Sequence, residues 1–356
     1  MLRHEQAMRL CFTLTTRVRE PSVPRKASNT NGADVVKAAD EATARLAEVK
    51  ASIGQVIYGL DEVVELSLAA ILSGGHALLV GAPGLAKTRL VETIAVATGL
   101  DTKRIQFTPD LMPADILGSE VLEETEHGKR SFRFLKGPIF TQLLMADEIN
   151  RASPRTQSAL LQSMQEYHVT VAGERHDLPK PFHVLATQNP LEQQGTYPLP
   201  EAQLDRFLLR VDVPYPSRDA ERDILLATTG PKDVNAKKVL SAKEILDMQA
   251  LVRRLPVGEK VVDAILDLLR LARPDVSEER DVQHGVSWGP GPRAGQALML
   301  ACRARALLQG RLAPSTDDVV ALAEPGLKHR MALSFAARAE GMTLESLIGR
   351  LAAKAA

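Results

Sequence analysis

The chain has 356 residues, long enough for about two domains with a substantial core. Its 44 basic and 44 acidic residues cancel, which removes any global field that would draw it to nucleic acid or anionic lipid. Cys11 and Cys302 are the only cysteines, too few for a disulfide framework, and no apolar run approaches a membrane span, so a soluble cytoplasmic protein with no membrane insertion is expected.

Residues 1–32 carry Arg3, Arg9, Arg17, Arg19, Arg25 and Lys26 against Glu5 and Glu20, with little periodicity, and read as a disordered N-terminal tail. From Asp34 the apolar positions Val35, Ala39, Ala42, Leu46, Val49 and Ile53 recur at helical steps. A turn at Val56-Ile57-Tyr58-Gly59-Leu60 leads into a second helix over about 61–72, closed by Gly74-Gly75. Ile57, Tyr58 and Gly59 are candidates to flank an adenine base. The plainer alternative is an inter-helix turn.

His76-Ala77-Leu78-Leu79-Val80 is apolar without alternation, which suits a strand buried on both faces. The loop Gly81-Ala82-Pro83-Gly84-Leu85-Ala86-Lys87-Thr88 follows, then a helix from about Thr88 to Thr98. Glycines there free backbone N–H groups to wrap phosphate oxygens, Lys87 reaches the β- and γ-phosphates, and the Thr88 hydroxyl is a Mg²⁺ ligand. Gly81 through Thr88, with Arg89, form the candidate ATP-binding set. Ala86 stands where the last loop glycine is usual, and the loop tolerates it if φ is negative.

A strand is expected at 104–108, and two hairpins at 118–137 and about 169–175, with polar tips at Glu126–Lys129 and Ala172–Arg175. Leu143-Leu144-Met145-Ala146 is a third buried strand ending in Asp147-Glu148. Two carboxylates at such a tip are costly unless a cation or a reacting water sits there, which makes Asp147 a Mg²⁺ ligand and Glu148 the base for water. Ser153 and Pro154 start a helix through Glu166. The strand 183–186 ends near Asn189, at the edge where ligands bind in open α/β sheets. Asp205-Arg206 precede a last strand, 207–213, and Pro214 and Pro216 mark a boundary.

Beyond it the pattern is helical, with a capping box at Ser241–Glu244, an amphipathic helix from Glu259 to Arg273, and a helix opened by Trp288–Arg293. Arg293 in a first helical turn opposes the dipole, which hints at a nearby anion, a solvated arginine being the alternative. No pattern of transition-metal ligands is present.

The segments 81–88, 106–118, 137–140, 147–152, 186–190, 201–207 and 291–294 closely resemble the MoxR family of AAA+ ATPases. That family also commonly carries Ala at the place of Ala86. The resemblance implies an α/β fold, a P-loop AAA+ parallel sheet sandwiched by helices over 33–215, with a C-terminal all-helical lid over 216–356. It implies ATP and Mg²⁺ as ligands, and a self-associated ring, usually a hexamer. By position Asn189 looks like the first sensor, Arg293 like the second sensor, and Arg206 like the arginine finger offered to the neighbouring subunit. With Lys87 and Glu148, these complete the expected catalytic set. The hairpins look like inserts that line the pore or one ring face, and the client is expected to be a protein, often one with a von Willebrand A domain. A nucleic-acid motor is the next class, disfavoured by the balanced charge. A small-molecule kinase would not need Glu148, Arg206 and a lid, and a nucleotide-gated scaffold with little turnover is separable by assay.

Overall fold

The computed structural model describes residues 32–124, 130–191, 195–231 and 234–356. Apart from Gly32, the expected disordered tail lies outside the described residues, as does the hairpin tip Glu126–Lys129.

Helices α1 (Gly32–Gly54) and α2 (Asp61–Leu72) lead into β1 (Ala77–Val80), α3 (Lys87–Thr98) and β2 (Thr102–Gln106). The short α4 (Pro113–Leu117) opens directly into the hairpin β3 (Gly118–Glu124) and β4 (Arg130–Lys136). Strand β5 (Leu143–Asp147) and helix α5 (Pro154–Glu166) follow, then the second hairpin, β6 (His168–Val171) with β7 (Glu174–Asp177). The core sheet is completed by β8 (His183–Gln188), the short α6 (Glu201–Leu204) and β9 (Leu209–Asp212).

The five core strands lie in the order β2-β5-β8-β1-β9, and every pairing is parallel. Alternate residues along each strand sort onto opposite faces. Leu78, Val80, Leu144, Ala146, Val184 and Ala186 join Leu160, Leu161 and Met164 of α5 in one apolar cluster. Ala77, Leu79, Leu143, Met145, Leu185, Leu209 and Val211 join α1, α2 and α3 in the other. Burial on both faces is the physical reason β1, β5 and β8 read as apolar strings, whereas the edge strand β2 is mostly exposed.

The chain then continues through α7 (Arg218–Thr228), α8 (Ala242–Arg254), α9 (Glu259–Leu271) and α10 (Arg280–Gly285). Strand β10 (Val286–Trp288), α11 (Pro292–Leu308), α12 (Thr316–Leu327), β11 (Ala332–Leu333), α13 (Phe335–Ala339) and α14 (Leu344–Ala355) complete it. The region is helical with one exception: β10 pairs antiparallel with β11, so Trp288 belongs to a small ribbon rather than to the start of α11. Ser241 caps α8, accepting from the Glu244 N–H while the Glu244 carboxylate accepts from the Ser241 N–H at 2.9 Å. Leu251, Leu268, Leu298, Cys302, Leu307, Leu322 and Ile348 extend the same apolar cluster that covers α1–α3, so the helical region is cored onto the sheet's helical layer. No helix among the described residues is long and apolar enough to cross a membrane.

Candidate active site

The carboxyl ends of β1, β8 and β5 lie side by side, and the loops leaving them carry most of the expected site residues. Gly81 has no room for a side chain, since a Cβ there would lie 2.8 Å from the Val213 carbonyl oxygen. Ala86 is the N-cap residue of α3, its carbonyl accepting from Leu90 N–H at 2.9 Å, and its φ is +52°. The expected negative φ is therefore corrected: the turn that delivers this carbonyl to α3 is left-handed. An L-residue held there is disfavoured by about 1–2 kcal/mol. Lys87 folds back on its own loop, Nζ donating to the Gly81 and Ala82 carbonyls at 2.7 Å each. Burial pushes its pKa down, opposed by the carboxylates of Asp147 and Glu148. An ammonium already pointed at loop carbonyls and facing two carboxylates is suited to exchange those carbonyls for phosphate oxygens.

Asp147 ends β5 and is almost fully buried. Its Oδ1 accepts from the Thr187 hydroxyl at 2.5 Å and its Oδ2 from Arg104 Nη2 at 2.6 Å. The charge compensation that burial demands is met here by the Arg104 guanidinium. Thr88 and Asp147 carry oxygen donors of the hard kind a Mg²⁺ ion takes. Glu148 adopts φ +55°, and its Oε2 accepts from Gln106 Nε2 at 2.7 Å and Arg151 Nη1 at 3.0 Å. Its own N–H donates to Thr187 Oγ at 2.8 Å. Thr187, Arg104, Gln106 and Arg151 thus hold both carboxylates, a role the residue pattern alone did not assign. The signal available was strand alternation, which sets Arg104 and Gln106 on one face of β2 beside Asp147.

Asn189 is buried just past β8, with Oδ1 accepting from Leu191 N–H at 3.1 Å. Among the described residues its Nδ2 has no partner. A buried amide donor left free beside the phosphate loop is suited to a phosphate oxygen or the attacking water.

A cavity of about 680 Å³ opens between the phosphate loop and the helical region. Ile57 and Tyr58 line it, with Leu85, Ala86 and Arg89. Gly59 does not: its φ is +68°, it packs against Ala220, and a Cβ there would come within 2.4 Å of Ala220 Cβ. In this structure Gly59 is a close-packing glycine outside the cavity lining. The missed lining comes from Pro214, Pro216, Ile224, Thr228 and Val234, in and around α7. Pro214 and Pro216, boundary marks in the sequence, also wall this cavity.

Arg206 and Arg293 lie elsewhere. Leu208 N–H donates to the His76 carbonyl at 2.8 Å, which places the turn before β9 at the amino end of β1. In a parallel sheet that is the end opposite the phosphate loop, about 13 Å away along four strand residues. Arg206 and Arg293 line one cleft of about 280 Å³ there, with Gly75, His76 and Tyr167. Arg206 Nε has no partner among the described residues. Asp205 instead pairs with Arg293 at 3.8 Å and with Arg330 at 2.7 Å. The anion suggested by Arg293's position in the first turn of α11 is thus the Asp205 carboxylate. Neither arginine is grouped with its own chain's phosphate loop.

Residues 76–209 match the ATPase family associated with various cellular activities (AAA), and residues 278–350 match the AAA lid domain. A curated relative named Chaperone MoxR1, from Mycobacterium tuberculosis, is 41% identical over 302 residues, covering 84% of this chain and 78% of the relative. Protein MoxR of Paracoccus denitrificans is 30% identical over 82% of this chain and 89% of its own length. A crystal structure of a candidate ATPase from Cytophaga hutchinsonii superposes with a TM-score of 0.81 at 33% identity, covering 90% of this chain and 96% of that one. With the phosphate loop, the paired carboxylates and the helical lid on one parallel sheet, the chain belongs to the MoxR family of AAA+ ATPases.

Proposed function

We propose that the protein hydrolyses ATP at sites shared between subunits of a ring, most simply a hexamer, and uses the cycle to remodel a protein client in the cytoplasm. The observation that carries this reading is the separation of the site's halves. Lys87, Thr88, Asp147, Glu148 and Asn189 gather at the carboxyl ends of the strands, while Arg206 and Arg293 share a cleft at the amino ends. Arginines so placed can meet a γ-phosphate only across a subunit boundary.

In the proposed cycle Lys87 exchanges its loop carbonyls for β- and γ-phosphate oxygens, and Asn189 Nδ2 donates to the γ-phosphate or its attacking water. Mg²⁺ held by Thr88 and Asp147 would neutralise charge on the phosphate oxygens. Glu148 takes the proton from water as its oxygen attacks phosphorus and the bond to the β-phosphate oxygen breaks. Arg206 of the neighbouring subunit meets the charge on the γ-oxygens. Residues 33–215 serve as the nucleotide-binding unit and 216–356 as the lid. Each hairpin sits between a helix and the next core strand, the first between α4 and β5 and the second between α5 and β8. Insertions on a rigid scaffold often carry specificity, and the client class implied by the resemblance is a protein with a von Willebrand A domain.

The test is ATP turnover and nucleotide affinity, measured together on wild type and Glu148→Gln, followed by capture of client on ATP-loaded Glu148→Gln protein. Mg²⁺-dependent phosphate release by wild type, with retained affinity and lost turnover in the variant, is expected. A wild type that binds ATP and does not turn it over, with or without client, would mean a nucleotide-gated scaffold.

A further inference from the structure

We infer that Arg330, at the end of the lid's α12, is a positioning residue for Arg206: it clamps the turn 205–208 on both sides of Arg206 and sets where that side chain reaches. The inference rests on the proposed role of Arg206 as the charge offered to the neighbouring site.

Arg330 follows α12 in a single tight turn, Lys328–Arg330, and its side chain is 2% exposed. A guanidinium has five N–H donors, and here all five are matched. Nε donates to Asp205 Oδ1 at 2.7 Å. Nη2 donates to the Asp205 carbonyl at 3.3 Å and the Phe207 carbonyl at 2.7 Å. Nη1 donates to the Leu208 carbonyl at 3.1 Å and, back into α12, to the Gly326 carbonyl at 2.6 Å. Four of the five bonds therefore fall on residues 205, 207 and 208. His329 adds a further bond, from Nε2 to the Phe207 carbonyl at 3.0 Å.

The arrangement is more specific than docking a lid requires. A charge buried this deeply, with one carboxylate for compensation, is costly unless the geometry of its bonds is used. What it fixes is the backbone flanking Arg206, whose own Nε is left without a partner among the described residues and whose side chain lines the open cleft. Asp205, turned toward Arg330 and Arg293, is withheld from pairing with Arg206. A displacement of about 1 Å at a catalytic group can cost about a hundredfold in rate, so a clamped turn has a direct kinetic consequence.

The experiment is a double-mutant cycle on the full-length assembled protein, with turnover, nucleotide affinity, oligomeric state and thermal midpoint measured for each variant. Arg330→Lys keeps the charge and loses the fork. It is expected to lower kcat about ten- to a hundredfold with nucleotide affinity changed less than about twofold. In an Arg206→Ala background the same substitution should change kcat by less than about twofold, because there is no finger left to misplace. The loss of thermal stability should be equal in both backgrounds. If Arg330→Lys does not assemble, Asp205→Asn keeps the guanidinium's carbonyl bonds, removes one anchor, and should show the same non-additivity. Losses that multiply across the two backgrounds, or a lowered affinity with unchanged kcat, would overturn the positioning role and leave Arg206 as the finger. Wild-type turnover in Arg206→Ala alone would remove the reading of Arg206, and this proposal with it.

Discussion

Lys87, Glu148 and Ala86 each make a distinct claim at the scale of a single residue. Lys87→Ala removes a charge that meets phosphate in the ground state, a contact of about 1.5–3 kcal/mol, so nucleotide affinity should fall at least about tenfold by titration with a fluorescent analogue. Glu148→Gln removes only the proton acceptor, so affinity should hold while turnover drops by about a hundredfold or more. Retained turnover in that variant would place the base elsewhere. Lys87, Thr88, Asp147 and Glu148 were legible in the sequence because their chemistry depends on short spacing after a strand. The sign of φ at Ala86 was not, because it depends on how the loop must deliver a carbonyl to Leu90. Arg330 was also hidden, since the residues it clamps, 205, 207 and 208, lie more than a hundred residues away and nothing local marks it. Arg104 and Gln106 were visible as a strand, but their grip on the carboxylates requires the register of β2 against β5.

Among the elements, the two hairpins stand apart from the sheet yet touch each other. Phe134 of β4 stacks on His176 of β7, centroids 4.0 Å apart and 17° from parallel. Leu122 and Phe132 are paired across the first hairpin and are 54% and 70% exposed. Among the described residues, neither hairpin supplies a side chain to the phosphate loop or the carboxylate pair. Replacing Ala172–Arg175 with a Gly-Ser link should therefore leave basal ATPase nearly intact and weaken stimulation by client. Loss of basal turnover in a folded, assembled variant would contradict that assignment. β1, β5 and β8 could be read from sequence because double burial leaves apolar strings, and the hairpins because polar tips divide alternating runs, whereas the edge strand β2 is largely polar and exposed. The β10–β11 ribbon escaped notice, being three residues paired with two across the lid. The contribution of α7 to the cavity beside the phosphate loop was equally silent, since the lining there is ordinary prolines, aliphatics and one threonine.

Across the whole molecule, stability depends on buried neutral histidines, one of which, His183, ties the sheet to α8 of the lid. His76 Nδ1 accepts from Val184 N–H at 2.9 Å and its Nε2 donates to the Met164 carbonyl at 3.1 Å. His183 Nδ1 donates to the Gly75 carbonyl at 2.8 Å and its Nε2 accepts from Gln249 of α8 at 3.0 Å. Burial pushes their pKa values from 6.5 down to about 3 and about 4, with His183 lowering His76 further. The unfolded chain takes up protons below pH 6.5 that the folded chain refuses, so stability should be flat above pH 6.5 and fall progressively toward pH 4. Urea midpoints measured from pH 8 to 5 check this. A midpoint unchanged down to pH 5 would mean that these rings are not held neutral. The central claim, that each ATP is hydrolysed between two subunits, is tested most directly by mixing two inactive variants. Arg206→Ala keeps its own phosphate loop and lacks the finger, a loss of about a thousandfold or more in turnover. Lys87→Ala keeps the finger and lacks the phosphate contact. Co-assembled, with subunit exchange verified, they should recover part of the wild-type phosphate release, because an intact site then meets an intact finger. No recovery from mixed rings would contradict the shared site.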